Sequence, residues 1–243
     1  MKKEAKINLK ERVIVALDTS DLKYAKKLVG LLKNSVRIFK IGSELFTSHG
    51  PKAVDMVHES GAKVFLDLKF HDIPNTAAQA ARAAARLGVF MFNVHASGGL
   101  QMMQEACVAS ADEARKRNFT PPKLIAVTLL TSLSQEEVDE EIGFKKRVDE
   151  MVLDFAELAS KAGLDGVVAS AMEVRKIKDK IGPQFLIVTP GIRPLGAEHG
   201  DQQRVVTPAE AFKLGADYIV IGRPITEAPA PKEDAEHIFR EIS

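Results

Sequence analysis

At 243 residues, 45% of them hydrophobic, the chain can bury one large core, and it falls in the range of about 200–250 residues where a closed α/β barrel forms a single domain. Its 34 basic and 33 acidic side chains leave a formal charge of +1, which offers neither nucleic acid nor an anionic membrane a general attraction, so any anion site must be local. The start, Met1-Lys2-Lys3-Glu4-Ala5-Lys6, leads into no long apolar stretch, and no run approaches the roughly 18–20 residues that span a bilayer; a signal peptide and a membrane anchor are not expected. The single cysteine, Cys107, allows no internal disulfide and no zinc-type spacing; it is expected as a small buried helix residue, in keeping with a reducing cytosol.

Eight short apolar runs follow one another along the chain: Val13–Leu17, Val36–Ile41, Lys63–Leu68, Phe90–Val94, Leu124–Val127, Asp165–Ala169, Phe185–Val188 and Tyr218–Ile221. Most are rich in Val, Ile, Leu or Phe, the pattern of strands buried on both faces. Helical patterns lie between them. Ala25, Leu28, Val29 and Leu32 recur at helical spacing, as do Val148, Met151, Val152, Phe155 and Leu158, and the alanine-rich stretch Thr76–Leu87 suits a helix packed closely on a sheet. Gly61, Gly88, Gly163 and Gly215 sit where helices would end. Strand-to-strand spacing of about 30 residues is that of one parallel βαβ repeat. Eight such units predict a (β/α)8 TIM barrel over residues 1–243, with no linker or domain boundary. A doubly wound sheet of five or six strands is the competing architecture, and no Gly-x-Gly-x-x-Gly or Walker-type loop supports it.

In such barrels the active site lies at the C-terminal ends of the strands. Polar residues gather where these apolar runs end. Strand 1 ends in Asp18, strand 2 contains Lys40, and strand 3 runs into Asp67 and Lys69 with Asp72 shortly after. Strand 4 ends at Asn93-Val94-His95, strand 5 leads to Thr128 and Thr131-Ser132, strand 7 to Pro190-Gly191-Ile192-Arg193, and strand 8 to Gly222-Arg223. Charges of alternating sign converge at the first three strands, and burying them is costly unless they pair. A lysine held between two carboxylates stays charged and is placed to deliver a proton. Asp67 and Lys69 are two residues apart and so face the same side, leaving Leu66 and Leu68 toward the helices, while Asp72 overshoots the strand and is free to reach elsewhere.

Arg193 and Arg223 follow strands 7 and 8, where barrels commonly build a phosphate site, and Gly191 and Gly222 let backbone N–H groups approach an anion. Arg223-Pro224-Ile225 reads as a loop entering a helix with proline early in the first turn. The polar segment from Leu195 to Val206, with Gly196, Gly200 and Gln202, is long for a βα connection and is expected to act as a lid over a bound phosphate.

These residues resemble the orotidine 5′-phosphate decarboxylase family. The resemblance runs from Val13-Ile14-Val15-Ala16-Leu17-Asp18 to Ile221-Gly222-Arg223-Pro224-Ile225. Its most specific part is Asp67-Leu68-Lys69-Phe70-His71-Asp72-Ile73-Pro74-Asn75-Thr76, in which the Asp-x-Lys-x-x-Asp core belongs to a wider superfamily of phosphosugar barrels and the Ile-Pro-Asn-Thr extension to this family. Phe39-Lys40-Ile41-Gly42, Val94-His95-Ala96-Ser97-Gly98-Gly99, Thr128-Leu129-Leu130-Thr131-Ser132 and Thr189-Pro190-Gly191-Ile192-Arg193 support it.

The resemblance implies decarboxylation of orotidine 5′-phosphate to UMP, the last step of de novo pyrimidine synthesis, in the cytoplasm and without cofactor or metal. It implies Asp18 and Lys40 on the ribose hydroxyls, Asp67 near the substrate carboxylate, and Lys69 as proton donor to C6. Thr131 would bind the pyrimidine, and Arg193, Gln202, Gly222 and Arg223 the phosphate. Asp72 and Thr76 would come from the partner of a homodimer with shared sites. His95 is expected to be a structural hydrogen-bonder. No flavin, nicotinamide or pyridoxal motif is present, and lysines interleaved with the carboxylates would repel a metal ion. Two alternatives stay open at this level: a metal-dependent keto-sugar-phosphate decarboxylase or aldolase of the same superfamily, and a nucleotide-binding protein without turnover.

Overall fold

A computed structural model describes residues 9–194 and 206–242. Eight parallel strands close into one barrel in chain order, each paired with the next and the eighth with the first. The strands are β1 (Val13–Ala16), β2 (Ile38–Gly42), β3 (Lys63–Phe70), β4 (Met91–His95), β5 (Lys123–Val127), β6 (Gly166–Val168), β7 (Leu186–Thr189) and β8 (Tyr218–Ile221). The helices are α1 (Leu22–Leu32), α2 (Ser43–His49), α3 (Pro51–His58), α4 (Pro74–Arg86), α5 (Gly99–Lys116), α6 (Gln135–Glu140), α7 (Val148–Lys161), α8 (Val174–Ile181), α9 (Pro208–Leu214), α10 (Arg223–Thr226) and α11 (Pro231–Glu241). None among the described residues is long and apolar enough to cross a membrane.

Alternation along the strands divides the core in two. Ile14, Ala16, Ile38, Phe65, Met91, Ile125, Val188 and Val220 point inward and fill the barrel. Their neighbours Val15, Phe39, Leu66, Phe92, Ala126, Ile187 and Ile221 point outward against the helices. In the middle of the barrel the inward set is wholly apolar. Toward the C-terminal ends Lys40, Asp67 and Asn93 continue the same inward rows.

Local signals fix the helix ends. Asp21 caps α1 by accepting from the amides of Lys23 and Tyr24, and capping boxes open α6 (Ser134 with Glu137) and α9 (Thr207 with Glu210). Gly88 and Gly163 take φ of +68° and +84° just past α4 and α7, where a side chain would be strained.

At the N-terminal end an ion cluster seals the closure between the first and last strands. Asp217, just before β8, accepts from Arg12 at 3.1 Å and from Lys178 on α8 at 2.6 Å, and it takes the amide of Ile187 on β7 at 2.8 Å. All three side chains are largely shielded from solvent.

The strands lie where the apolar runs place them, with shifts of one or two residues at most ends. The largest, of two residues, are the later start of β2, at Ile38 rather than Val36, and the end of β3, which continues through Phe70 rather than stopping at Leu68 where its pairing with β4 is irregular. The alanine-rich helix begins at Pro74, so Thr76 lies in its first turn. Cys107 is on α5 as expected but only partly buried, its thiol 3.4 Å from the carbonyl of Gly163.

Asp217→Ala should cost about 3 kcal/mol of folding free energy, because it strands Arg12 and Lys178 without their shared carboxylate. Chemical denaturation of the purified variant checks this, and an unfolding midpoint equal to wild type would remove the cluster from any role in closing the barrel.

Candidate active site

The charged residues singled out from the sequence converge at the C-terminal mouth. Lys40, on β2, is 9% exposed and donates to Asp18, at the end of β1, at 2.8 Å. Its ammonium also lies 3.3 Å from Oδ2 of Asp67. Lys69 donates to the other oxygen, Oδ1 of Asp67, at 2.8 Å. Asp18, Lys40, Asp67 and Lys69 thus form one chain of alternating charge across three adjacent strands.

Burial alone would lower Lys40, but the nearby charges of Asp67 and Asp18 outweigh it and hold the ammonium above its usual range. Burial likewise pushes Asp67 up, while Lys40, Lys69 and a hydrogen bond from Asn93 pull it further down, so its carboxylate lies below the ordinary range.

Two features of this corner were not legible in the sequence. Lys69 has φ +53°, a left-handed conformation that a lysine adopts rarely and at a cost of about 1–3 kcal/mol. Alternation alone therefore does not carry Lys69 to Asp67; an irregular backbone does. Asn93, at the end of β4, is the side chain that holds it: its Oδ1 accepts from the Lys69 amide at 2.8 Å, and its Nδ2 donates to Oδ1 of Asp67 at 2.7 Å. An amide on the inward row Met91, Asn93, His95 of an otherwise apolar strand was the available signal.

His95, half-buried on the same row, has its ring 5.5 Å from that of His71. Burial, then His71 and Lys69, depress its basicity.

Above the charges is a cavity of about 170 Å³ bounded by Lys69, Asn93, Leu130, Thr131, Pro190 and Val220. Gly222 borders Asp18: a Cβ there would lie 3.6 Å from Oδ2 of Asp18 and 3.5 Å from Cβ of Ala16. Arg223 opens α10, with proline in its first turn as expected. Arg193 is 7% exposed, and burial and then the charge of Arg223 lower its basicity.

Asp72 and Thr76 do not join this cluster. Both are exposed beyond β3, and Asp72 turns back to accept from the Ile73 amide at 2.7 Å. Gln202 and the expected lid segment lie outside the described residues, apart from Val206; the Arg193 amide donates to the Val206 carbonyl at 3.1 Å, joining the segment's two ends. Among the described residues no group of three or more His, Cys, Asp or Glu side chains is arranged to hold a metal ion. A larger cavity, about 750 Å³, opens among Lys63, Arg86, Phe90 and Lys123, but it lies at the N-terminal ends of the strands and none of its lining residues is a carboxylate.

Charged side chains gathered at the C-terminal ends of the strands define a barrel of the enzyme class. A family model described as "Orotidine 5′-phosphate decarboxylase / HUMPS family" matches residues 11–238. The chain belongs to that family. It is 54% identical to orotidine 5′-phosphate decarboxylase of Moorella thermoacetica over 98% of this chain and 94% of the relative, and 51% identical to that of Geobacter sulfurreducens over 96% of each. Among solved structures, orotidine 5′-phosphate decarboxylase of Lactobacillus acidophilus matches with TM-score 0.84 at 39% identity, covering 96% of this chain and 99% of that one.

Asp67 makes a pH test possible. A carboxylate held below its unfolded pKa adds stability above the unfolded range and loses it as pH falls through the folded value. In Lys40→Met, Asp67 keeps only Lys69 and Asn93, its pKa rises, and the acid loss should begin at higher pH than in wild type. Thermal unfolding stepped between about pH 3 and 6 measures it. Superimposable acid profiles for the two proteins would contradict the pairing.

Proposed function

We propose that this protein decarboxylates orotidine 5′-phosphate to UMP and CO₂, with Lys69 as the proton donor. The observation that carries the proposal is the Lys69 ammonium, fixed at 2.8 Å from the half-buried carboxylate of Asp67 in the floor of the cleft. Identity near one half to relatives named for this activity, over nearly the whole chain, supports it.

In the reaction the bond between C6 and the carboxylate breaks, its electron pair stays on C6, and CO₂ leaves. The pair lies in the ring plane with little resonance help, so the uncatalysed barrier is very high. The Lys69 ammonium sits where that charge develops and then gives its proton to C6, leaving a neutral amine that solvent reprotonates. Enzymes lower barriers by about 8–23 kcal/mol, and one well-placed donor supplies about 3–4 kcal/mol. Lys69 alone therefore does not suffice. The remainder comes from binding energy at a distance, with Arg193, Arg223, Gly222 and Gln202 gripping the phosphate.

The cavity beside Thr131 is small for a whole nucleotide and takes the pyrimidine, while Asp18 and Lys40 bind the ribose hydroxyls at the open side. The substrate carboxylate lies near Asp67. The exposure of Asp72 and Thr76 fits a homodimer in which each completes the neighbour's site. The enzyme works in the cytoplasm and uses no cofactor. A metal-dependent keto-sugar-phosphate enzyme is disfavoured by the engagement of both oxygens of Asp67 and one of Asp18 with lysines, which compete with a divalent ion for them.

The direct test is the loss of orotate-ring absorbance when the purified protein meets orotidine 5′-phosphate in EDTA. Activity that disappears in EDTA and returns with a divalent ion would favour the metal-dependent reaction. Lys69→Ala should bind UMP within about tenfold of wild type yet lose nearly all turnover, and substantial residual decarboxylation would remove Lys69 from proton donation. Arg223→Ala should instead raise KM strongly; an unchanged KM would exclude a phosphate contact. Mixing Asp72→Ala with Lys69→Ala subunits should restore part of the activity through heterodimers. No recovery after demonstrated subunit exchange would place Asp72 in its own subunit's site.

A further inference from the structure

We infer that Asn93 is a positioning residue for the reaction, because one buried amide fixes Lys69 at both of its ends. Its Oδ1 accepts from the backbone amide of Lys69, and its Nδ2 donates to Oδ1 of Asp67, the same oxygen that accepts from the Lys69 ammonium. The inference rests on Lys69 being the proton donor.

The need for such a residue follows from the strand pairing. β3 and β4 pair at Leu66 with Phe92 and again at Phe70 with Val94. Between those points Asp67, Leu68 and Lys69 face Asn93 alone. The extra residues bend the strand and remove the regular carbonyl partner for the Lys69 amide, as bulges do. Lys69 sits within this stretch at φ +53°, and surrounding contacts must over-determine such a conformation for it to persist.

Only a side chain with an acceptor and a donor on one short stem meets both demands. A backbone amide can only donate and an ionised carboxylate can only accept, so the two partners dictate which end of the Asn93 amide faces which. Asn93 is 1% exposed, so neither bond has water as a substitute. Aspartate would serve the Lys69 amide but repel Asp67. Leucine would fill similar space and serve neither.

The readouts must separate positioning from folding. In Asn93→Leu and Asn93→Ser, kcat should fall on the order of 10²-fold, the size of effect that a small misplacement of a reacting group produces. KM for orotidine 5′-phosphate should stay within about threefold, and UMP should still bind with full stoichiometry. A merely structural role would reduce turnover and UMP-binding stoichiometry together.

Asn93→Asp adds a test that tolerates loss of the other two variants, because it preserves size and the acceptor for the Lys69 amide. The groups facing Asp67 are Lys40 from β2, Lys69 from β3 and His95 from β4, with Asp18 beyond Lys40. In this variant Asp67 loses a donor and gains a like charge, so its pKa rises and the acid limb of kcat/KM should move to higher pH.

Turnover within threefold of wild type at full UMP stoichiometry in the Leu and Ser variants would overturn the inference. If neither binds UMP, an acid limb of Asn93→Asp that coincides with wild type would overturn it. Lys69→Ala run alongside distinguishes the two levels: residual turnover there defeats the proton-donor assignment, whereas an inactive Lys69→Ala beside fully active Asn93 variants defeats only the role of Asn93.

Discussion

Asp67 takes hydrogen bonds from Lys69 and Asn93 on one oxygen and faces the Lys40 ammonium with the other. A lone carboxylate this far from solvent would carry a desolvation penalty and would hold a proton more readily. Here the two ammoniums reverse that preference. The dependence is mutual, since Lys40 is itself buried and would lose its proton more readily without Asp67 and Asp18. Within this group the formal charges cancel, two positive against two negative. The mouth of the barrel is therefore charged locally without being charged overall.

The rim differs. Arg193 and Arg223 stand close enough to depress the basicity of Arg193. In the proposed reaction the ligand brings a phosphate to that rim and a carboxylate to the mouth, where Asp67 already stands. The attraction is thus greatest at the end of the ligand remote from the bond that breaks. Such an arrangement lets binding energy hold the reacting end in a position it would not choose by itself.

Much of the barrel was legible because its signals are local and repetitive. Runs such as Phe90–Val94 and Tyr218–Ile221 need burial on both faces, and Gly88 and Gly163 mark helix ends through their backbone freedom. Lys40, Asp67 and Lys69 were legible because charges at the ends of apolar strands have to meet. The left-handed backbone of Lys69 was not, since it arises from a pairing irregularity between two strands and leaves no mark on β3 alone. Asn93 stood in plain view on β4, but its two partners lie on another strand and at a backbone atom. Whether Asp72 and Thr76 serve a site depends on a second copy of the chain, which one sequence does not place. Gln202 lies outside the described residues, so its assignment still rests on family resemblance.

The two ends of the barrel use charge for different purposes. At the N-terminal end Asp217 ties Arg12, Lys178 and the Ile187 amide into a cluster whose partners satisfy one another. At the other end the partners of Asp67 are arranged so that one of them, Lys69, keeps a side chain about one third exposed to the cleft. A fully satisfied ion pair holds a structure but has no proton or charge left to offer a ligand. Lys69 has one strong partner, a strained backbone and an open side. The strain is confined to a residue whose amide and carboxylate partner are both held by Asn93, so β3 keeps its place in the barrel while the ammonium stays available at its mouth.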